Sequence, residues 1–192
     1  MRIGIDLDNT LADYSTPIAR LCREYGVCST GLNAKLTLRE HLREHGREAE
    51  WTNLQGEIYG PLMPEARLFP GAAEFLSRAM GSGSECFVVS HRTRHPIAGQ
   101  AYNLHQSARL WLQGQGLGDI AVYLEESKIS KLTRIGSLGP DVFIDDLPEL
   151  LGDRAFPVGV RPVLFDPARS HTADWIGQAC ASWSELTGLL LP

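Results

Sequence analysis

The chain has 192 residues and a formal charge of −5 at neutral pH, a length that suits one domain with a modest insertion and can bury a sizeable core. The acidic balance argues against a nucleic-acid-binding surface, and no apolar run approaches the ~20 residues of a membrane span. The N-terminus lacks the architecture of a signal peptide, and Cys22, Cys28, Cys86 and Cys180 form no Cys-x-x-Cys pair, so the expectation is a reduced, cytoplasmic protein with neither zinc nor a disulfide framework.

Arg2-Ile3-Gly4-Ile5 reads as a short apolar strand running into Asp6-Leu7-Asp8-Asn9-Thr10. Alternate side chains of an extended segment share a face, so Asp6 and Asp8 start on one side while Leu7 turns to the core. Carboxylates this close raise one another's pKa unless a cation or donated hydrogen bonds offset them, so the pair calls for a metal, a shared proton or both. A helix is predicted from Ala12 to about Gly26, with Pro17 in its first turn and Ile18, Leu21, Cys22 and Tyr25 at helical spacing. From Val27 to Pro70 the strand pattern disappears, and apolar residues recur at helical intervals from Leu36 to Leu42 and from Trp51 to Tyr59. The charged run Arg39 to Glu50 reads as the solvated face of an amphipathic helix, and Trp51 and Tyr59 as core.

Phe69-Pro70-Gly71 marks the next boundary, followed by a helix from Ala72 to about Met80 and a turn over Gly81 to Gly83. Glu85 to Val89 is a strand ending at Ser90, and His91-Arg92-Thr93-Arg94-His95-Pro96 is a basic loop suited either to gripping an anion or to solvent. A helix from Asn103 to Leu112 leads to a strand from Ile120 to Leu124, after which Lys128 and Lys131 open another helical stretch. Asp141 to Ile144 is a strand ending at Asp145-Asp146, and Asp146 is placed to cap a helix before Leu147-Pro148. A fifth strand covers Pro162 to Phe165, and one or two helices close the chain between Trp175 and Leu191. Strands alternating with helices imply an α/β fold, a Rossmann-like doubly wound parallel sheet of about five strands, with a site at the strands' carboxyl ends.

The order Asp-x-Asp-x-Thr at Asp6 to Thr10, then Ser90, then a lysine, then Asp145-Asp146 resembles the haloacid dehalogenase (HAD) superfamily of phosphotransferases, and the motifs span most of the chain. The resemblance implies that Asp6 is the nucleophile that becomes an aspartyl-phosphate and that Asp8 is the general acid and base. It implies that Ser90 holds a phosphoryl oxygen, with Thr10, His91 and Arg92 on the substrate side. It further implies a magnesium site drawn from Asp6, Asp8, Asp145 and Asp146, and a lysine that orients Asp6. Helical periodicity leaves Lys128 and Lys131 tied, and the resemblance of Lys131 to Gly139 to relatives carrying Phe-Ile-Asp-Asp-Leu-Pro-Glu, here Phe143 to Glu149, favours Lys131.

The resembling family places a small helical cap between the nucleophile strand and the Ser90 strand. The expected division is therefore a core of residues 1–13 and 71–192 with a cap of residues 14–70. The implied activity is magnesium-dependent hydrolysis of a small phosphorylated metabolite, a nucleotide or a sugar phosphate, with a likeness to the deoxyribonucleotidase-like branch. Asp8 favours ester hydrolysis or mutase chemistry over dehalogenation, and the intact motifs favour an enzyme over a silent binding module. No nucleic-acid polymer or membrane partner is expected, and the oligomeric state is left open.

Overall fold

Strands and helices alternate through most of the chain in the computed structural model, which describes residues 1–29, 31–171 and 173–191. In order they are β1 (Arg2–Ile5), β2 (Ala12–Asp13), α1 (Ser15–Glu24), α2 (Ala34–Glu44), α3 (Glu48–Tyr59), β3 (Arg67–Leu68), α4 (Ala72–Gly81), β4 (Glu85–His91), α5 (Leu104–Gly114), β5 (Ala121–Glu125), α6 (Lys128–Leu138), β6 (Val142–Asp145), α7 (Pro148–Leu151), β7 (Arg161–Phe165), β8 (Gln178–Cys180) and α8 (Trp183–Leu190). The first helix begins later than its apolar spacing suggests. Ala12 and Asp13 are extended, and the Asp13 carboxylate then accepts the Ser15 amide at 2.8 Å, a local bond that competes with helix and favours its start. No helix among the described residues is long and apolar enough to cross a membrane.

The chain folds into two compact units, one of Met1–Ala12, Leu68–His91 and Ile120–Pro192, the other of Asp13–Arg67 and Arg92–Asp119. The first holds a six-stranded sheet in the order β5-β4-β1-β6-β7-β8, and every pairing is parallel. The sixth strand, β8, replaces part of the closing helical stretch expected after Trp175. β1 lies between β4 and β6, so successive crossovers leave it in opposite directions and open a crevice at its carboxyl end.

Gly4 in β1 faces Phe87 of β4 and Phe143 of β6, and a Cβ at that position would lie 2.6 Å from the Phe143 ring. The absence of a side chain is what lets the two rings close over the central strand. Phe87, Val89 and Phe143 pack with Leu132 and Ile135 of α6 and Leu150 and Leu151 of α7. Elsewhere in this unit Trp183 of α8 packs against Phe75 and Phe165 with ring centroids 5.0 and 5.7 Å apart.

The second unit is helical. Ile18, Leu21, Leu38, Leu42, Trp51, Leu54, Ile58, Ala108, Trp111 and Leu112 are buried at the helical spacings that predicted α1, α2, α3 and α5. Its extent differs from residues 14–70, because residues 92–119 fold with the earlier segment. Two polar links join them: the Trp111 indole donates to the Ala66 carbonyl at 2.9 Å, and the Arg92 guanidinium donates to the Tyr59 carbonyl at 3.2 Å and the Tyr14 hydroxyl at 3.0 Å.

Candidate active site

Every acid of the predicted site lies just beyond, or at the last residue of, a strand in the centre of the sheet. β1 stops at Ile5, and the Asp6 amide continues the pairing by donating to the Ile144 carbonyl at 2.8 Å. The chain then turns sharply: Leu11 and Ala12 amides return to the Leu7 carbonyl, and Asn9 takes the left-handed conformation at φ 59°. Asparagine tolerates that conformation better than most residues. Leu7 is fully buried, as the alternation predicted, and the Trp183 indole secures the loop from the far side by donating to the Thr10 carbonyl at 3.1 Å. That tie joins positions 173 residues apart, and no sequence signal announced it.

Asp6, Lys131 and Asp145 form a buried triad. The Lys131 ammonium donates to Asp6 Oδ1 and to Asp145 Oδ2, each at 2.6 Å. Lys131 is 1 % exposed, Asp6 4 % and Asp145 0 %. The second Asp145 oxygen accepts the Leu147 amide at 2.9 Å, so Asp145 also opens α7. This places the cap one residue from the expected one: Leu147 is the N-cap residue, with Pro148 at the first helical position.

The pKa of the Asp6 carboxyl is pushed up to about 7. Burial raises it most, the Lys131 charge lowers it, and the negative charges of Asp145 and Asp8 raise it again. For Lys131 burial acts downward, but the charges of Asp145 and Asp6 outweigh it and hold the ammonium above its ordinary value. Lysine therefore remains a cation while Asp6 is poised between acid and carboxylate.

Asp146 joins these acids. Oxygen atoms of Asp6, Asp145 and Asp146 lie within 4.8 Å of one another, a spacing that suits a single hard cation bound by oxygen ligands. One lysine cannot balance three carboxylates. The donor set thus fits magnesium. Asp8, also expected to contribute to the metal, lies outside this group of three. Beyond the end of β1 its carboxylate points toward Ser90, whose Oγ donates to Asp8 Oδ2 at 3.5 Å.

Ser90 is buried in β4 and His91 is the exposed last residue of that strand. Thr10 is fully buried, and its hydroxyl has no hydrogen-bond partner among the described residues. Arg92, expected on the substrate side, is occupied within its own unit. It is 4 % exposed inside the second unit, where its guanidinium donates to the Tyr59 and Leu104 carbonyls and the Tyr14 hydroxyl and lies 5.3 Å from the centre of the Tyr59 ring. A guanidinium engaged by fixed carbonyls is a packing element, because freeing it for an anion would strand those acceptors. Lys128, the alternative to Lys131, turns away from the acids and binds the Glu149 carbonyl and Asp153 at 2.8 and 2.6 Å.

No protein-family model matches the sequence, and no curated protein matches it. Solved structures do match its fold over nearly the whole length. A HAD family hydrolase from Deinococcus radiodurans R1, solved with bound phosphate and sodium, is 18 % identical with a TM-score of 0.60, covering 98 % of this chain and 94 % of its own. A HAD phosphatase from Thermococcus onnurineus is 16 % identical with a TM-score of 0.59, covering 99 % and 97 %. A predicted phosphatase from Clostridium acetobutylicum is 13 % identical with a TM-score of 0.60, also covering 99 % and 97 %. The likeness concerns the fold and singles out no branch within it. The fold of this chain is that of the HAD-superfamily hydrolases.

Proposed function

We propose that the protein is a magnesium-dependent phosphomonoesterase that acts on a small phosphorylated metabolite through an aspartyl-phosphate at Asp6. The observation that carries this reading is the buried Asp6–Lys131–Asp145 triad with Asp146 beside it. Phosphoryl transfer needs positioning and positive charge more than covalent manipulation, and this cluster concentrates both.

In the first step an Asp6 oxygen attacks phosphorus, forming a new O–P bond as the ester O–P bond breaks. The departing alkoxide takes a proton from the Asp8 carboxyl. In the second step the Asp8 carboxylate removes a proton from water, the water oxygen attacks phosphorus, and the bond to Asp6 breaks to release phosphate and restore both acids. The intermediate divides one difficult hydrolysis into two easier displacements. Lys131 holds Asp6 in one orientation and keeps it sufficiently anionic to attack, while the Ser90 hydroxyl is available to a phosphoryl oxygen. Asp6, Asp145 and Asp146 would hold magnesium, whose charge would offset those of the carboxylates and the phosphoryl oxygens.

The second unit takes the part of a cap in this reading, with its contacts to the leaving group setting the choice among substrates. A screen of nucleotides and sugar phosphates, with magnesium and with chelator, tests the proposal. Turnover of at least one monoester that requires the metal is expected. A folded protein that hydrolyses none of a broad panel contradicts it.

A further inference from the structure

Helix α2 closes on His41-Leu42-Arg43-Glu44-His45, with His45 as its C-cap residue. Residues four apart on a helix are surface neighbours, and here the two imidazole rings lie with centroids 4.4 Å apart and planes tilted by 38°. Both belong to the second unit, with His41 half-buried and His45 exposed.

The hydrogen bond made by His45 fixes its tautomer. Nδ1 lies 2.7 Å from the His41 carbonyl, which can only accept, so Nδ1 carries the proton and in the neutral ring Nε2 carries a lone pair. An imidazole that donates one N–H to a backbone carbonyl and presents the other nitrogen has the tautomer and the held orientation of a metal ligand. The same carbonyl also accepts the His45 amide at 3.3 Å, so ring and backbone are fixed together at the helix end.

The surroundings suit a cation. The carboxyl end of a helix carries partial negative charge, and Glu44 stands three residues after His41 and next to His45. The neighbouring cations Arg43 and Arg47 are taken up by Glu48 and Glu50, at 2.9 and 2.6 Å. Among the described residues Asp6, Asp145 and Asp146 are the one group of three or more candidate metal ligands, so at the end of α2 the protein supplies two ligands and water the rest.

We propose that His41 and His45 bind one divalent transition-metal ion, zinc foremost, through Nε2 of His45 and a ring nitrogen of His41. Imidazole ligands select such ions over magnesium and calcium, which take oxygen. Two nitrogens bound tetrahedrally to one zinc ion, each ~2.1 Å from it, sit ~3.4 Å apart. Rings 4.4 Å apart at their centres reach that span by small side-chain rotations. The site depends neither on the acids around Asp6 nor on the hydrolytic reading.

Calorimetric titration of the full chain with zinc chloride, in magnesium chloride sufficient to occupy the acids, tests the site. His41→Asn and His45→Asn should each weaken the binding of one zinc per chain by at least ~tenfold. Nitrogen-15 spectra of the wild-type imidazoles give a readout independent of either variant: zinc should shift His45 Nε2 and leave Nδ1 protonated. Zinc binding of wild-type stoichiometry and affinity in both folded variants overturns the proposal, as does a His45 Nε2 resonance that excess zinc leaves unmoved. Zinc held only by the acids or by Cys28 would give both of those results.

Discussion

The Lys131 ammonium lies 2.6 Å from Asp6, and both groups are almost wholly removed from solvent. An ion pair so placed is held by the fold rather than by its own attraction, because desolvation offsets much of the Coulombic gain. Its reason for existing is better sought in chemistry than in stability. Lys131→Ala should leave Asp6, Asp145 and Asp146 facing a phosphoryl group with one fewer cation and lower the rate by on the order of a hundredfold or more. Lys128→Ala breaks a partly exposed pair with Asp153, which solvent screens, and should leave the rate within a few-fold. Steady-state rates of both variants on one substrate decide between them.

Asp6→Asn should abolish turnover without unfolding the protein, and its stability should carry a pH signature. The folded-state pKa of Asp6 is raised to about 7 from an ordinary 3.8, so the folded form holds this proton more tightly than the unfolded form. The stability it contributes is fully present below about pH 4 and lost as pH rises through about 7. The stability of metal-free wild type minus that of Asp6→Asn should therefore decline across that window. Denaturant titrations at several pH values check this, and a difference that rises with pH would mean that folding lowers the Asp6 pKa.

Removing the proposed metal ligands should separate their roles. Asp145→Ala takes away a proposed cation ligand, one partner of Lys131 and the acceptor of the Leu147 amide, so it should lose both metal-dependent activity and some order at the start of α7. Asp146→Ala should be milder, raising the magnesium concentration needed for half-maximal rate. Titrating the rate with magnesium distinguishes the two, and full activity of the wild type in excess chelator contradicts the assignment of this site.

Two further substitutions test packing. Gly4→Ala places a Cβ 2.6 Å from the Phe143 ring between two neighbouring strands and should destabilise by about 1–3 kcal/mol. Arg92→Met removes the donor to the Tyr59 and Leu104 carbonyls and should destabilise by about 1–3 kcal/mol. Denaturation midpoints check both. Arg92→Met with unchanged stability but sharply weakened substrate binding would restore arginine to the phosphate, where the sequence placed it.

Residues whose chemistry and local pattern agree were legible in the sequence. Strand β1 with its following acids, the Ser90 strand end and the Asp145 strand end all announce themselves by an apolar run meeting a polar residue. Lys131 was less so: its spacing along α6 is as good as that of Lys128, and only the depth of the helix against the sheet separates a lysine that is 1 % exposed from its partly exposed neighbour. The partition of residues 92–119 was hidden for another reason. A strand, a helix and a strand in succession look like a sheet crossover, whereas the links that draw α5 elsewhere, Trp111 to Ala66 and Arg92 to Tyr59, join residues 45 and 33 apart and leave no local pattern. Strand β8 is only three residues long, Gln178–Cys180, too short to show alternation.

The most direct measurement is the mass of the protein's peptides after acid quenching during turnover of a good substrate with magnesium. An aspartyl-phosphate at Asp6 leaves one added phosphoryl group on the peptide that contains Asp6, absent from Asp6→Asn and from samples quenched after the substrate is exhausted. Rapid hydrolysis with the phosphoryl group found on another residue, or turnover by folded Asp6→Asn at the wild-type rate, would contradict it.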